Sequence, residues 1–166
     1  MKFDHLSDLP EWDDEDFRHG EEEGESWKPN PTRDACKALY QQWNQVMIVL
    51  NGALDSMNTD TGEDGFPAEY WEDHKGMLLG DAYQVAVKIK SSEAGGLYMI
   101  RMENATIIRK NAQFIKSSML TMMSEGVIEE AHGKVIRAEI DTFRFAFKDW
   151  VATFQRDEFE DEWGLF

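Results

Sequence analysis

Four stretches of the sequence carry apolar residues at steps of three and four, and this helical period constrains the fold more than any other feature. In the first stretch, residues 32–58, the period holds for about six turns, from Cys36 to Met57. The remaining stretches are residues 67–92, 97–124 and 127–156. Each stretch predicts one amphipathic helix, about 40 Å long at about 1.5 Å per residue.

The breaks between the stretches predict how the helices pack. Residues 58–65 read as a polar, glycine-containing loop, and the other two breaks are shorter, at 94–96 and 125–127. Short connections force consecutive helices to run antiparallel. The sequence therefore predicts an all-α, up-down-up-down four-helix bundle over residues 31–156, with Trp43, Ile107, Phe143 and Phe147 in its core.

The charge lies at the two ends of the chain, outside the predicted bundle. Residues 1–30 hold eleven acidic and three basic side chains, a net of −8, and residues 157–166 add a net of −5. The formal net charge of the whole chain is −16. We therefore divide the chain into an acidic N-terminal arm (1–30), the bundle (31–156) and an acidic C-terminal arm (157–166).

Both acidic arms also carry large apolar side chains, which a purely solvated tail does not need. Acidic residues alternating with aromatic residues are typical of partner-binding segments. The candidate contact residues are Trp12, Phe17, Trp27, Phe159, Trp163 and Phe166. The alternative is that the arms pack on their own bundle while their acids face water. The two interpretations are compatible if the arms of one copy of the chain bind to another copy.

Composition excludes several classes of protein. The acidic balance disfavours direct binding to nucleic acid or to an anionic membrane surface. No run of apolar residues is long enough to predict a membrane span, and the first residues carry acid where a signal peptide needs an apolar run. The single cysteine, Cys36, is compatible with a reducing compartment, so we expect a cytoplasmic protein.

A metal site is the alternative reading of the bundle. Folding the helices at their breaks places His74, His132, Glu129 and Asp55 within about one helical turn of a common level. Glu129 and His132 have the i,i+3 spacing that carboxylate-bridged metal sites use in bundles. This pattern predicts Zn, Fe or Mn, but the chain has one such motif where a di-metal centre uses two.

No motif in the sequence fixes a reaction, so we expect a non-catalytic interaction module. Its partner is a protein with an apolar, basic surface, or a second copy of the chain as a homodimer, and no cofactor is expected. The metal-binding protein or metal-dependent enzyme is the runner-up. A third class is a mimic of nucleic-acid charge, which needs the acidic residues on one continuous face.

Overall fold

The chain folds into four helices, as the apolar period predicts. The computed structural model describes residues 9–17 and 27–165. The helices are α1 (Pro31–Asp55), α2 (Ala68–Ser91), α3 (Tyr98–Ser124) and α4 (Glu130–Ala152). A short 3-10 helix, Asp14–Phe17, precedes them, and the described part of the chain contains no strand. The all-α fold is confirmed.

The packing is that of an antiparallel four-helix bundle. Helix α1 packs against α2 and α4, and α3 packs against the same two helices, so each helix has two neighbours. At one end of the bundle, the backbone N–H of Asn58 donates to the carbonyl of Val127 at 2.8 Å, joining two connections. At the other end, the Thr32 hydroxyl donates to the carbonyl of Thr153 at 3.3 Å.

Local sequence signals explain where the helices begin and end. The side chain of Asn30 accepts a hydrogen bond from the N–H of Arg33 at 3.0 Å, which caps the start of α1. Helix α3 ends two residues before a left-handed Gly126, which has a φ of 71° and is followed by the buried Val127. Helix α4 therefore begins three residues later than predicted, because the residues after Gly126 fill the end of the core.

The core lies between all four helices and contains large aromatic side chains among its aliphatic residues. Trp43 of α1 packs against Phe143 of α4 with ring centroids 4.8 Å apart, and both residues are buried as predicted. Ile107 and Phe147 are half-buried instead. The inward position on α3 is Ile108, one residue along, and Phe147 lies at the edge of the core beside α3.

None of the helices in residues 9–17 and 27–165 combines the length and the apolarity needed to cross a membrane.

Candidate functional site

Part of the N-terminal arm, residues 9–17, packs on the bundle; we call it the N-terminal segment. The ring of Trp12 lies 4.7 Å from Phe17 and 5.7 Å from Tyr40 of α1, centroid to centroid. The hydroxyl of Tyr40 donates a hydrogen bond of 2.5 Å to the carbonyl of Pro10, and burial raises the pKa of Tyr40. Leu9 also contacts the core. The N-terminal segment therefore packs on the bundle of its own chain.

Basic residues of α1 and α2 face the N-terminal segment. Lys37 lies 3.9 Å from the carboxylate of Asp14, and Lys90 lies 3.7 Å from that of Asp16. A guanidinium nitrogen of Arg33 donates to the Phe17 carbonyl at 3.2 Å. Ion pairs this exposed contribute about 0–1 kcal/mol each, so the aromatic contacts supply most of the stability of the packing.

The other candidate contact residues that the structure describes point into solvent. Trp27 is 77% exposed, Phe159 is 54% exposed and Trp163 is 87% exposed. Phe166 lies outside the described residues. The same holds for residues 1–8 and 18–26 of the predicted N-terminal arm. Burying one such aromatic side chain on binding is worth about 1.5–3 kcal/mol, so these are the apolar groups that a partner would cover.

The C-terminal arm, whose described residues 157–165 we call the tail, is fixed at its root. The backbone N–H at the start of α3, on Tyr98, donates to the carboxylate of Asp157 at 2.9 Å. The guanidinium of Arg156 lies 5.8 Å from the centroid of the Tyr98 ring. A carboxylate at a helix N-terminus satisfies a free N–H and interacts favourably with the helix dipole. The tail therefore leaves the bundle at a defined place.

The end of the tail is a turn organised by Asp161. Its carboxylate accepts hydrogen bonds from the N–H groups of Trp163, at 3.1 Å, and Leu165, at 2.8 Å. Its carbonyl accepts from Gly164 at 3.0 Å, and Gly164 has the positive φ of 69° that the turn requires. The turn holds the backbone of Trp163 in place while its side chain remains exposed.

The four predicted metal-ligating residues do not assemble into one group. His74 lies between aromatic rings, parallel to Tyr70 at 6.1 Å and edge-on to Phe114 at 6.2 Å. Burial among these rings lowers the pKa of His74. No group of three or more His, Cys, Asp or Glu side chains in the described ranges is arranged to hold a metal ion.

The other three predicted metal-ligating residues lie in two separate contacts. His132 Nε2 is 3.9 Å from the Glu129 carboxylate, the i,i+3 contact that the motif predicted. Asp55 lies 3.8 Å from the ammonium of Lys75. Both carboxylates are largely exposed, so these contacts resemble ordinary surface ion pairs.

A buried carboxylate that the sequence reasoning missed lies at the end of the bundle beneath the N-terminal segment. The Glu93 side chain is 1% exposed and lies 3.7 Å from Arg33 and 3.3 Å from Arg101. Cys36 lies beside this cluster, and burial, together with the charge of Glu93, raises the pKa of its thiol. Glu93 lies two residues after the end of α2 and two residues before Gly95, where the sequence suggests an exposed connection.

A second missed feature is a small cavity of about 60 Å³ between α3 and α4, which we call the basic pocket. Ala112, Ile140, Phe143 and Phe147 contribute apolar walls, and Arg109, Lys116 and Arg144 contribute basic groups. Lys116 forms an ion pair with Asp141, which lowers the pKa of that carboxyl. A charge plot along the helix faces could have found this cluster, because Arg109 and Lys116 lie on one face of α3.

No protein-family model matches the chain, and searches of curated proteins and of solved structures find no significant match.

Proposed function

We propose that the chain is a non-catalytic, cytoplasmic protein-interaction module whose acidic tail recognises an apolar, basic surface. The main contact residues are Phe159 and Trp163, with Trp27 and Phe166 as further candidates. The observation that carries this proposal is the ordered turn at Asp161, which presents a tryptophan that is 87% exposed.

Energetics support a recognition role for the tail over a purely structural one. An exposed Trp163 contributes little to the stability of the bundle, whereas its burial against a partner would contribute about 1.5–3 kcal/mol. Because hydrogen bonds already order the turn, binding costs less conformational entropy than it would for a flexible tail. The surrounding carboxylates select partners of positive charge.

The N-terminal segment has a different role in this proposal. Trp12 and Phe17 pack against Tyr40 and Arg33, so they support the bundle and are less available to a partner. The tail and Trp27 remain as the exposed, acidic, aromatic parts of the arms.

Affinity capture with the full-length chain tests the proposal. We expect wild type to retain a protein from lysate that Trp163→Ala and Phe159→Ala chains do not retain. Retention should weaken as ionic strength rises past about 0.15 M, where the Debye length is about 8 Å. Phe66→Ala is the matched control, because Phe66 is a 49% exposed aromatic residue between α1 and α2, outside the acidic arms.

Capture of the same proteins by wild type and by the Trp163→Ala chain would contradict the proposal. Thermal unfolding of each variant belongs to the same experiment. Tail variants should melt at the wild-type temperature, because their side chains are exposed. A large drop in melting temperature for Trp163→Ala would assign the tail a structural role instead.

A further inference from the structure

The basic pocket has two arginines that form no close ion pair within the described parts of the chain. Neither Arg109 nor Arg144 forms an ion pair or a hydrogen bond through its guanidinium with these residues. Arg144 lies instead 5.7 Å from the centroid of the Phe145 ring. Asp141 also lines the pocket and interacts electrostatically with Arg144, but its ion pair is with Lys116.

The chemistry of the pocket defines the ligand it would take. Its walls include Phe143 and Phe147, against which part of an aromatic ring can pack. A cavity of about 60 Å³ holds only part of a large side chain, so the rest of the ring would lie across the arginine side chains at the rim. Carboxylates beside that ring would pair with the guanidinium groups. An acidic segment with a projecting aromatic side chain has this chemistry.

The tail of this same chain is such a segment. It carries five carboxylates, and its turn presents Trp163 to solvent. We propose that the basic pocket binds Trp163 from the tail of a second copy of the chain, with the acidic residues of that tail paired to Arg109 and Arg144. This inference rests on the proposed function of the tail and names its partner.

The tail does not occupy the pocket of its own chain. Its residues 157–160 lie beside Tyr98 and Met99 at the start of α3, and Trp163 is 87% exposed. The centre of the pocket lies near Ala112, about 21 Å further along α3 at about 1.5 Å per residue. The tail and the pocket of one chain are therefore both open to a second copy.

Exchange of tails between two copies would give a symmetric dimer with two equivalent contacts. Each contact is small, and the two copies repel each other because each carries a net charge of −16. Interfaces of this size belong to the weak, transient class. The dimer should therefore depend on concentration, and comparisons between variants must be made at one ionic strength.

Sedimentation equilibrium of the full-length chain at about 0.15 M salt, up to about 1 mM protein, tests the proposal. We expect a monomer–dimer equilibrium for wild type. Trp163→Ala and Arg109→Glu should each weaken the dimer about tenfold or more, because each change affects both contacts. Circular dichroism should show that both variants remain folded, since both residues are exposed.

Two matched controls separate the proposed contact from general effects. Lys110→Glu makes the same change in net charge one residue from Arg109, outside the pocket lining. Phe66→Ala removes an exposed aromatic side chain between α1 and α2, outside the tail and the pocket lining. Lys110→Glu should weaken the dimer far less than Arg109→Glu does, and Phe66→Ala should dimerise like wild type.

Mixing the two variants gives a complementation test. A Trp163→Ala chain keeps an intact pocket, and an Arg109→Glu chain keeps an intact tail. Their equimolar mixture should contain heterodimers at concentrations where each variant alone is monomeric, because one complete contact forms.

A wild-type chain that stays monomeric at about 1 mM would overturn the proposal, as would equal weakening by Arg109→Glu and Lys110→Glu. The proposed function and this inference can fail separately. Wild type can remain monomeric and yet capture a protein from lysate that the Trp163→Ala chain does not capture. In that case recognition by the tail stands, and only its assignment to a second copy fails.

Discussion

At the scale of single residues, the cluster of Glu93, Arg33 and Arg101 shows how the bundle closes its end. Burying a carboxylate is costly unless nearby positive charge and hydrogen bonds compensate. Arg101 supplies a contact of 3.3 Å to Glu93 and also donates to the Gly96 carbonyl at 3.3 Å. The cluster thereby joins α1, the end of α2 and α3, beneath the N-terminal segment.

Removing this buried charge should destabilise the fold. We expect Glu93→Gln to lower the free energy of unfolding by about 3 kcal/mol, because it leaves two arginines without their carboxylate in a mostly buried site. Urea denaturation measures the loss. Glu103→Gln is the control, since it makes the same change at an exposed position of α3. A loss no larger than that of the control would show that the cluster contributes little to stability.

His74 should make stability depend on pH. Burial lowers its folded-state pKa below the usual 6.5, so the unfolded chain binds more protons than the folded chain between the two values. The stability that neutral His74 contributes is therefore fully present above a pH of about 6.5. It is lost as the pH falls through the lower, folded-state pKa. Urea denaturation at a series of pH values from neutral to mildly acidic measures this loss.

Two variants separate titration of His74 from its packing between Tyr70 and Phe114. His74→Phe keeps an aromatic ring, and His74→Gln does not; neither side chain titrates. The free energy of unfolding of wild type relative to either variant should fall as the pH is lowered. A difference that stays constant with pH would show that the surroundings of His74 do not disfavour its charged form.

At the scale of elements, α4 shows what the apolar period can and cannot determine. The period identifies the helix and its buried face, including Phe143 and Trp150. It does not determine that Phe147 lies at the edge of the core, because residues 143 and 147 both fit the same stripe. That distinction depends on how closely α3 approaches α4, which is a property of the folded molecule.

Truncating these two phenylalanines should reveal the difference. Phe143→Ala should cost about 3–5 kcal/mol of stability, since Phe143 is 2% exposed and packs on Trp43. The half-buried Phe147 serves as the matched comparison, and Phe147→Ala should cost less. Denaturant titration of both variants measures the costs, and a larger loss for Phe147→Ala would mean that the two residues exchange roles in solution.

The N-terminal segment is the element whose sequence left two interpretations open. Trp12→Ala should cost about 1.5–3 kcal/mol, because the ring packs on Phe17 and Tyr40. Trp27→Ala, at an exposed position in the same arm, should leave the unfolding free energy close to that of wild type. Equal, negligible losses for both variants would show that the segment does not pack stably on the bundle.

At the scale of the whole molecule, the charge is arranged as two acidic ends around a bundle with a local basic region. Helices α3 and α4 together hold eight basic and five acidic side chains, although the chain as a whole is strongly acidic. Sequence alone predicted the acidic arms and the bundle. It could not place the basic pocket or the exposed turn, because both depend on which side chains neighbouring segments leave uncovered.

The most direct test of recognition between copies through the tail is a dilution series followed by ¹⁹F NMR of the chain labelled with fluorotryptophan. The chain has six tryptophans, and the Trp163→Ala variant assigns the signal of Trp163. In dilute protein this signal should have the solvent isotope shift of an exposed ring. As concentration rises, it should become protected while the signals of the buried Trp43, Trp71 and Trp150 stay in place. A Trp163 signal that is already protected at high dilution, or that does not change across the series, would contradict recognition between copies through the tail.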